Sequence, residues 1–128
     1  MPEKALAALD RALEIDPQCA PCSSARGLIL EAGGRPGEAL AAFDRALGSS
    51  PEDPEAHLHR GLALLALNRP ADALSAFEEA TGLSPGNFGA WIQRGLALAR
   101  LERHEEAAGA FDTATRIDPE DLDAWYEM

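Results

Sequence analysis

Residues 91–119 read WIQRGLALARLERHEEAAGAFDTATRIDP, and the order of small, aromatic and helix-breaking residues in that stretch decides the fold. Its fixed points are Gly95, Ala107, Phe111, Ala114 and Pro119. A step of 34 residues back finds Gly61, Ala73, Phe77, Ala80 and Pro85, and a second step finds Gly27, Ala39, Phe43, Ala46 and Pro51, with Pro17 opening the series. Five residue types in one phase make an internal repeat.

Each type has a mechanical reason. Proline lacks an N–H and forces the preceding residue out of helical geometry, so it ends a helix. Glycine and alanine stand where two helices approach closely, and phenylalanine fills the space between neighbours. A second break falls inside each unit, at Gly33-Gly34-Arg35-Pro36, Asn68-Arg69-Pro70 and Glu102-Arg103-His104. Gly34 and Asn68 suit the left-handed conformation that closes a helix, and Pro36 and Pro70 suit the first turn of the next. The unit is helix, tight turn, helix.

The rest of the chain agrees. Of its 128 residues 26 are alanine, none is valine and only 5% are aromatic, a composition that favours helices over sheets. The fold class is all-α. A formal charge of −11 argues against nucleic acid or an anionic membrane surface as partner. Nothing approaches the run of about 18 apolar residues that a membrane span needs. Met1-Pro2-Glu3-Lys4 begins no apolar signal core, and two cysteines are too few for a disulfide scaffold, so a cytoplasmic location is expected. Ten arginines to one lysine, with abundant Ala and Gly, hint at a bacterial source.

The spacing resembles the tetratricopeptide repeat family, whose pattern runs W-x2-L-G-x2-Y, A-x3-F, P. Trp91, Gly95, Ala107, Phe111 and Pro119 carry the resemblance best. Arg26, Arg60 and Arg94 stand where the family has leucine, Leu30, Leu64 and Leu98 where it has tyrosine, and Ser23 and His57 where it has tryptophan. The resemblance covers essentially the whole chain. It implies a right-handed superhelical solenoid of antiparallel helix pairs, one domain over 1–128. Three full repeats are expected at 20–53, 54–87 and 88–121. Their first (A) helices lie near 20–33, 54–67 and 88–101, and their second (B) helices near 37–49, 71–83 and 105–117. Residues 3–19 read as a B-type helix without its A helix, and 122–128 as the start of an A helix without its B helix.

The family resemblance implies a concave groove lined by A helices. The apolar members expected there are Leu28, then Leu58, Leu62 and Leu65, then Ile92, Leu96 and Ala99, spaced by four and three so as to share one helix face. His59, Gln93 and Arg100 are the polar members. These leucines could serve a partner, pack one A helix on the next, or both. The acids crowd into B helices and loops, whereas the A helices hold Glu31 and Glu55 against Arg26, Arg60, Arg94 and Arg100, so −11 describes the outer surface. Family members that bind chaperone tails use a two-carboxylate clamp of Lys, Asn and Arg. The corresponding positions here are Ser24, Leu28, His59, Gly89 and Gln93, none of which matches.

The Arg26, Arg60 and Arg94 ladder reads as structural, each guanidinium tied to a nearby carboxylate or helix end. Cys19 and Cys22 have C-x2-C spacing without a second pair, and Cys22 holds the place of Ala56, Ala90 and Ala124, so it reads as a buried small residue. The serines read as helix caps. No catalytic constellation, metal site or cofactor is expected. The leading function is a scaffold or adaptor that binds a protein or peptide in the groove. The alternatives are a homo-oligomer stacking head to tail through the chain ends, or a regulatory segment of a larger protein.

Overall fold

A computed structural model describes residues 2–117, and among them are seven α-helices and no strand: α1 (Pro2–Ile15), α2 (Ala20–Ala32), α3 (Pro36–Ser49), α4 (Pro54–Ala66), α5 (Pro70–Leu83), α6 (Phe88–Arg100) and α7 (His104–Ile117). The helices α2, α4 and α6 are the A type, and α1, α3, α5 and α7 the B type. The helix expected to begin at 122 lies outside the described residues, and so does any head-to-tail contact that would use it.

The A helices start on side-chain caps that share the repeat phase: Cys19, Asp53 and Asn87. The Asp53 carboxylate accepts the N–H groups of Glu55 and Ala56, and Asn87 Oδ1 accepts that of Ala90 at 3.1 Å. Each A helix then closes on a residue with positive φ: Gly34 at 74°, Asn68 at 59° and Glu102 at 61°. Their N–H groups return to Glu31, Leu65 and Ala99, and the N–H groups of Arg35, Arg69 and Arg103 return to Leu30, Leu64 and Leu98. This is the Schellman pattern, which satisfies carbonyls that a helix end would otherwise leave open. Glycine and asparagine accept that geometry readily; Glu102 does so against the steric preference of a side-chain-bearing residue.

Inside each repeat the phenylalanine of the B helix lies on the glycine of the A helix. A Cβ on Gly27 would sit 2.6 Å from Cε1 of Phe43, and one on Gly95 would sit 2.6 Å from Cε1 of Phe111; at Gly61 the ring of Phe77 is closer still. Phe43 and Phe77 are completely enclosed, with Ala39, Ala46, Ala73 and Ala80 around them. These glycines therefore serve close approach, not backbone freedom.

Every A helix packs on the B helix that follows it, and every B helix on the next A helix. In addition α2 touches α4 and α4 touches α6, whereas no two B helices meet. Contact along one side only bends the stack, with the A helices on the inside of the curve.

Gly61→Ala is expected to cost about 3 kcal/mol, because the added methyl overlaps an enclosed ring that has nowhere to move. Glu102→Gly is expected to stabilise the chain by about 1 kcal/mol through relief of the left-handed strain. Urea unfolding midpoints measure both, and an unchanged midpoint for Gly61→Ala would refute the close-approach account.

Candidate binding groove

The inside of the curve presents one position three times over. Leu28 in α2, Leu62 in α4 and Leu96 in α6 are repeat equivalents; Leu28 is 43% and Leu96 44% exposed, while Leu62 is half-buried. Leu58, Leu62, Leu65 and Ala99 are half-buried and pack against the core around Leu64, Phe77 and Leu98. These four therefore take part in packing the A helices onto the core. Ile92 and Gln93 are half-buried, and Arg100 is exposed.

The polar groove residues tie A helices to one another. His59 Nδ1 lies 3.1 Å from the Glu31 carboxylate on α2, and its imidazole stacks on Phe43 with ring centres 5.7 Å apart. Arg100 donates to the Leu65 carbonyl at 3.2 Å and to Asn68 Oδ1 at 3.3 Å, and Asn87 donates to Glu55 at 3.4 Å. His59 and Arg100 are thus struts between neighbouring repeats. Ser24, in α2, holds the place of Leu58 and Ile92, and its buried hydroxyl has no protein partner.

The arginine ladder runs along the junction between each A helix and the B helix before it. Arg26 Nε donates to Asp10 at 2.9 Å, Arg60 Nε to Asp44, and Arg94 approaches Glu78 at 3.9 Å. Each acid stands 16 residues before its arginine, so Asp10, Asp44 and Glu78 repeat in the same phase. Arg94 also donates to Thr81 at 2.9 Å and covers the Trp91 ring at 4.9 Å. With partners already inside the chain, the ladder is a set of braces between repeats.

The tetratricopeptide repeat family pattern matches residues 2–54, 24–88 and 58–121. The chain belongs to that family. No curated protein matches it. Among solved structures it is similar to MamA from Desulfovibrio magneticus RS-1, at 21% identity and TM-score 0.86 over 92% of this chain and 67% of that one. It is also similar to YrrB, described as a TPR protein with an unusual peptide-binding site, at 31% identity and TM-score 0.87 over 98% and 64%. A third is the first TPR of Spaghetti (RPAP3) bound to the HSP90 peptide SRMEEVD, at 25% identity and TM-score 0.80 over 88% and 89%. The chain spans about two thirds of the MamA and YrrB chains.

Against the tetratricopeptide pattern, the first repeat departs most. Trp91 Nε1 donates to the Pro85 carbonyl at 2.8 Å, and His57 Nε2 sits 2.9 Å from the equivalent Pro51 carbonyl. Ser23 is too short to do this, and Arg45 of α3 reaches the Pro17 carbonyl instead at 3.4 Å. A cavity of about 510 Å³ opens there between α1, α2 and α3, against about 270 Å³ at the equivalent place beside Trp91. Two expectations change. Cys22 is half-buried rather than enclosed, and is joined to Cys19 in a disulfide. The serines cap helix ends and not A-helix starts: Ser50 and Ser84 stand at the C-caps of α3 and α5, whereas Cys19, Asp53 and Asn87 hold the capping positions before α2, α4 and α6.

The B helices start on a second periodic pair: Arg35 with Glu38, Arg69 with Asp72 and Arg103 with Glu106. Each acid lies in a helix's first turn, where the backbone dipole favours negative charge. Hydrogen bonding from Arg103 holds the Glu106 carboxyl below its ordinary range, against the opposing effect of desolvation. A carboxyl whose pKa falls on folding stabilises the fold above its unfolded value, and the contribution disappears as pH falls through the folded value. Glu106→Gln is therefore expected to melt slightly below the parent at pH near 7 and level with it at about pH 2, where both states are protonated. Thermal unfolding across that range measures it, and a gap that stays constant with pH would contradict it.

Proposed function

We propose that the chain is a protein-interaction scaffold that holds an apolar peptide or helical segment of a partner along the inside of its curve. The observation that carries this reading is the ladder Leu28, Leu62, Leu96, three repeat-equivalent leucines of which the outer two stay well exposed. A folded chain gains by covering such a row, and a partner with apolar side chains at matching spacing would cover it. His59 and Arg100 border the ladder and hold the A helices at fixed spacing, which keeps the groove formed before a partner arrives. Tetratricopeptide repeats are typically interaction modules rather than enzymes. The peptide-binding site named for YrrB and the peptide bound by the RPAP3 repeat support a peptide ligand. The positions of the carboxylate clamp hold Ser24, Leu28, His59, Gly89 and Gln93, so recognition here rests on apolar contact and not on a peptide's terminal carboxylate.

The test is capture from a cell extract with the parent chain and with a Leu28→Arg, Leu96→Arg double variant, followed by mass spectrometry. Both positions are exposed, so the variant is expected to unfold within roughly 0.5 kcal/mol of the parent. A partner retained by the parent and lost by the folded variant is the expected result. Equal retention by both would remove the ladder from the binding surface.

A further inference from the structure

We propose that Cys19 and Cys22 form a reversible thiol–disulfide exchange site at the start of α2, whose substrates are low-molecular-weight thiols and their disulfides. The repeat itself supplies the first reason. Position 19 is the capping position that Asp53 and Asn87 occupy in the other repeats, and each of those uses a side-chain acceptor to hold the first N–H groups of its A helix. Cys19 does the same with sulfur, its Sγ accepting the Cys22 N–H at 3.2 Å. The Cys22 N–H lies in the first turn of α2, where a helix offers no backbone acceptor, and Pro21 before it has no N–H to compete for the sulfur. On reduction the same N–H and the helix dipole stabilise negative charge on Cys19, which is the reactive form of a thiol.

The second reason lies at position 22. Its equivalents Ala56 and Ala90 are enclosed, at 2% and 0% exposure, as small residues between helices. Cys22 takes that place with its Cα 5.3 Å from that of Cys19, so helix geometry keeps the second sulfur within reach of the first. Both residues are half-buried, and a small thiol can reach them.

The exchange balances without any further reagent. The Cys19 thiolate attacks one sulfur of a disulfide RSSR, forming Cys19–S–SR and releasing RS⁻, which takes up a proton. The Cys22 thiolate then attacks Cys19 Sγ, closing the intramolecular bond and releasing the second RS⁻, which is protonated in turn. The protein loses two electrons and two protons, and RSSR becomes two RSH; excess thiol drives the reverse.

The experiment places the full chain in buffers of varied reduced-to-oxidised glutathione ratio, quenches with acid, alkylates and weighs the products. Two variants use residues that other repeats already carry: Cys22→Ala, as at Ala56, and Cys19→Asp, as at Asp53. The parent is expected to interconvert between dithiol and intramolecular disulfide with the ratio while fully folded. Cys22→Ala is expected to accumulate one glutathione per chain at residue 19, and Cys19→Asp to react at least tenfold more slowly. Three results would overturn the proposal. The first is a bond that opens only after urea unfolds the chain, which makes it a structural staple. The second is a parent that carries two separate glutathione adducts without ring closure. The third is an equal rate of reaction for the two single-cysteine variants.

Discussion

The structure depends on one contact made three times: the edge of a B-helix phenylalanine against the bare Cα of an A-helix glycine. The contact fixes the distance and rotation between the two helices of a pair, most tightly where Phe43 and Phe77 are enclosed on all sides and have one position available. Once a pair is rigid, its B helix presents a fixed face to the next A helix, and the same relation is carried along the chain. The alanines at 39, 73 and 107 and at 46, 80 and 114 keep the surroundings of that ring shallow enough for helices to close on it. Neighbour-to-neighbour packing of this kind makes stability a sum of local terms, so a weak repeat lowers its own segment first.

From that contact the two surfaces of the molecule acquire different tasks. A helices approach one another closely and B helices do not, which leaves the inner side narrow and the outer side spread. The inner side is braced by His59, Arg100 and Asn87, each reaching across to a neighbouring A helix. On the B helices six acids (Asp10, Asp44 and Glu78; Glu38, Asp72 and Glu106) pair with arginines in phase with the repeat. These surface pairs are individually weak, worth at most about 1 kcal/mol each. Their regularity selects the register between repeats more than it deepens stability. An exposed leucine row remains on the braced side, where a partner would meet a rigid surface.

Much of this is legible in residue order, because a 34-residue phase reports the packing directly. The all-α class, the helix breaks and the left-handed turn positions Gly34 and Asn68 can be read from single residues with strong local preferences. Glu102 could be read only through its phase, since glutamate has no preference for positive φ. The acids of the arginine ladder are equally periodic, yet two are aspartate and one glutamate, and nothing local says that a partner lies 16 residues back on another helix. The double duty of Leu58, Leu62 and Leu65 was open in the sequence and needed three dimensions. Helical spacing puts them on one face without saying how far the next helix covers it. The cysteines are legible only in part: position 22 is a small-residue site in the other repeats, and nothing in residue order says that Cys22 is half-buried or joined to Cys19.

That first repeat shows how a repeat array can hold its fold while changing its chemistry. Ser23 leaves the space that Trp91 fills two repeats later, and Ser24 brings a hydroxyl without a protein partner into the same helix. Both losses fall on α2 and would loosen it against α1 and α3. The compensations fall there too. Arg45 takes over the Pro17 carbonyl, Ser49 donates to Gln18 at 3.0 Å, and the Cys19–Cys22 bond holds the first turn of α2 covalently. Three ties on one short loop replace a single indole, and one of them is sensitive to thiols. Because stability is local in a solenoid, a change at this loop acts first on α2 and Leu28, reaches α4 only through its contact with α2, and acts least on α5 to α7. The least typical repeat is therefore the place where the surface chemistry can change with least effect on the far end of the stack.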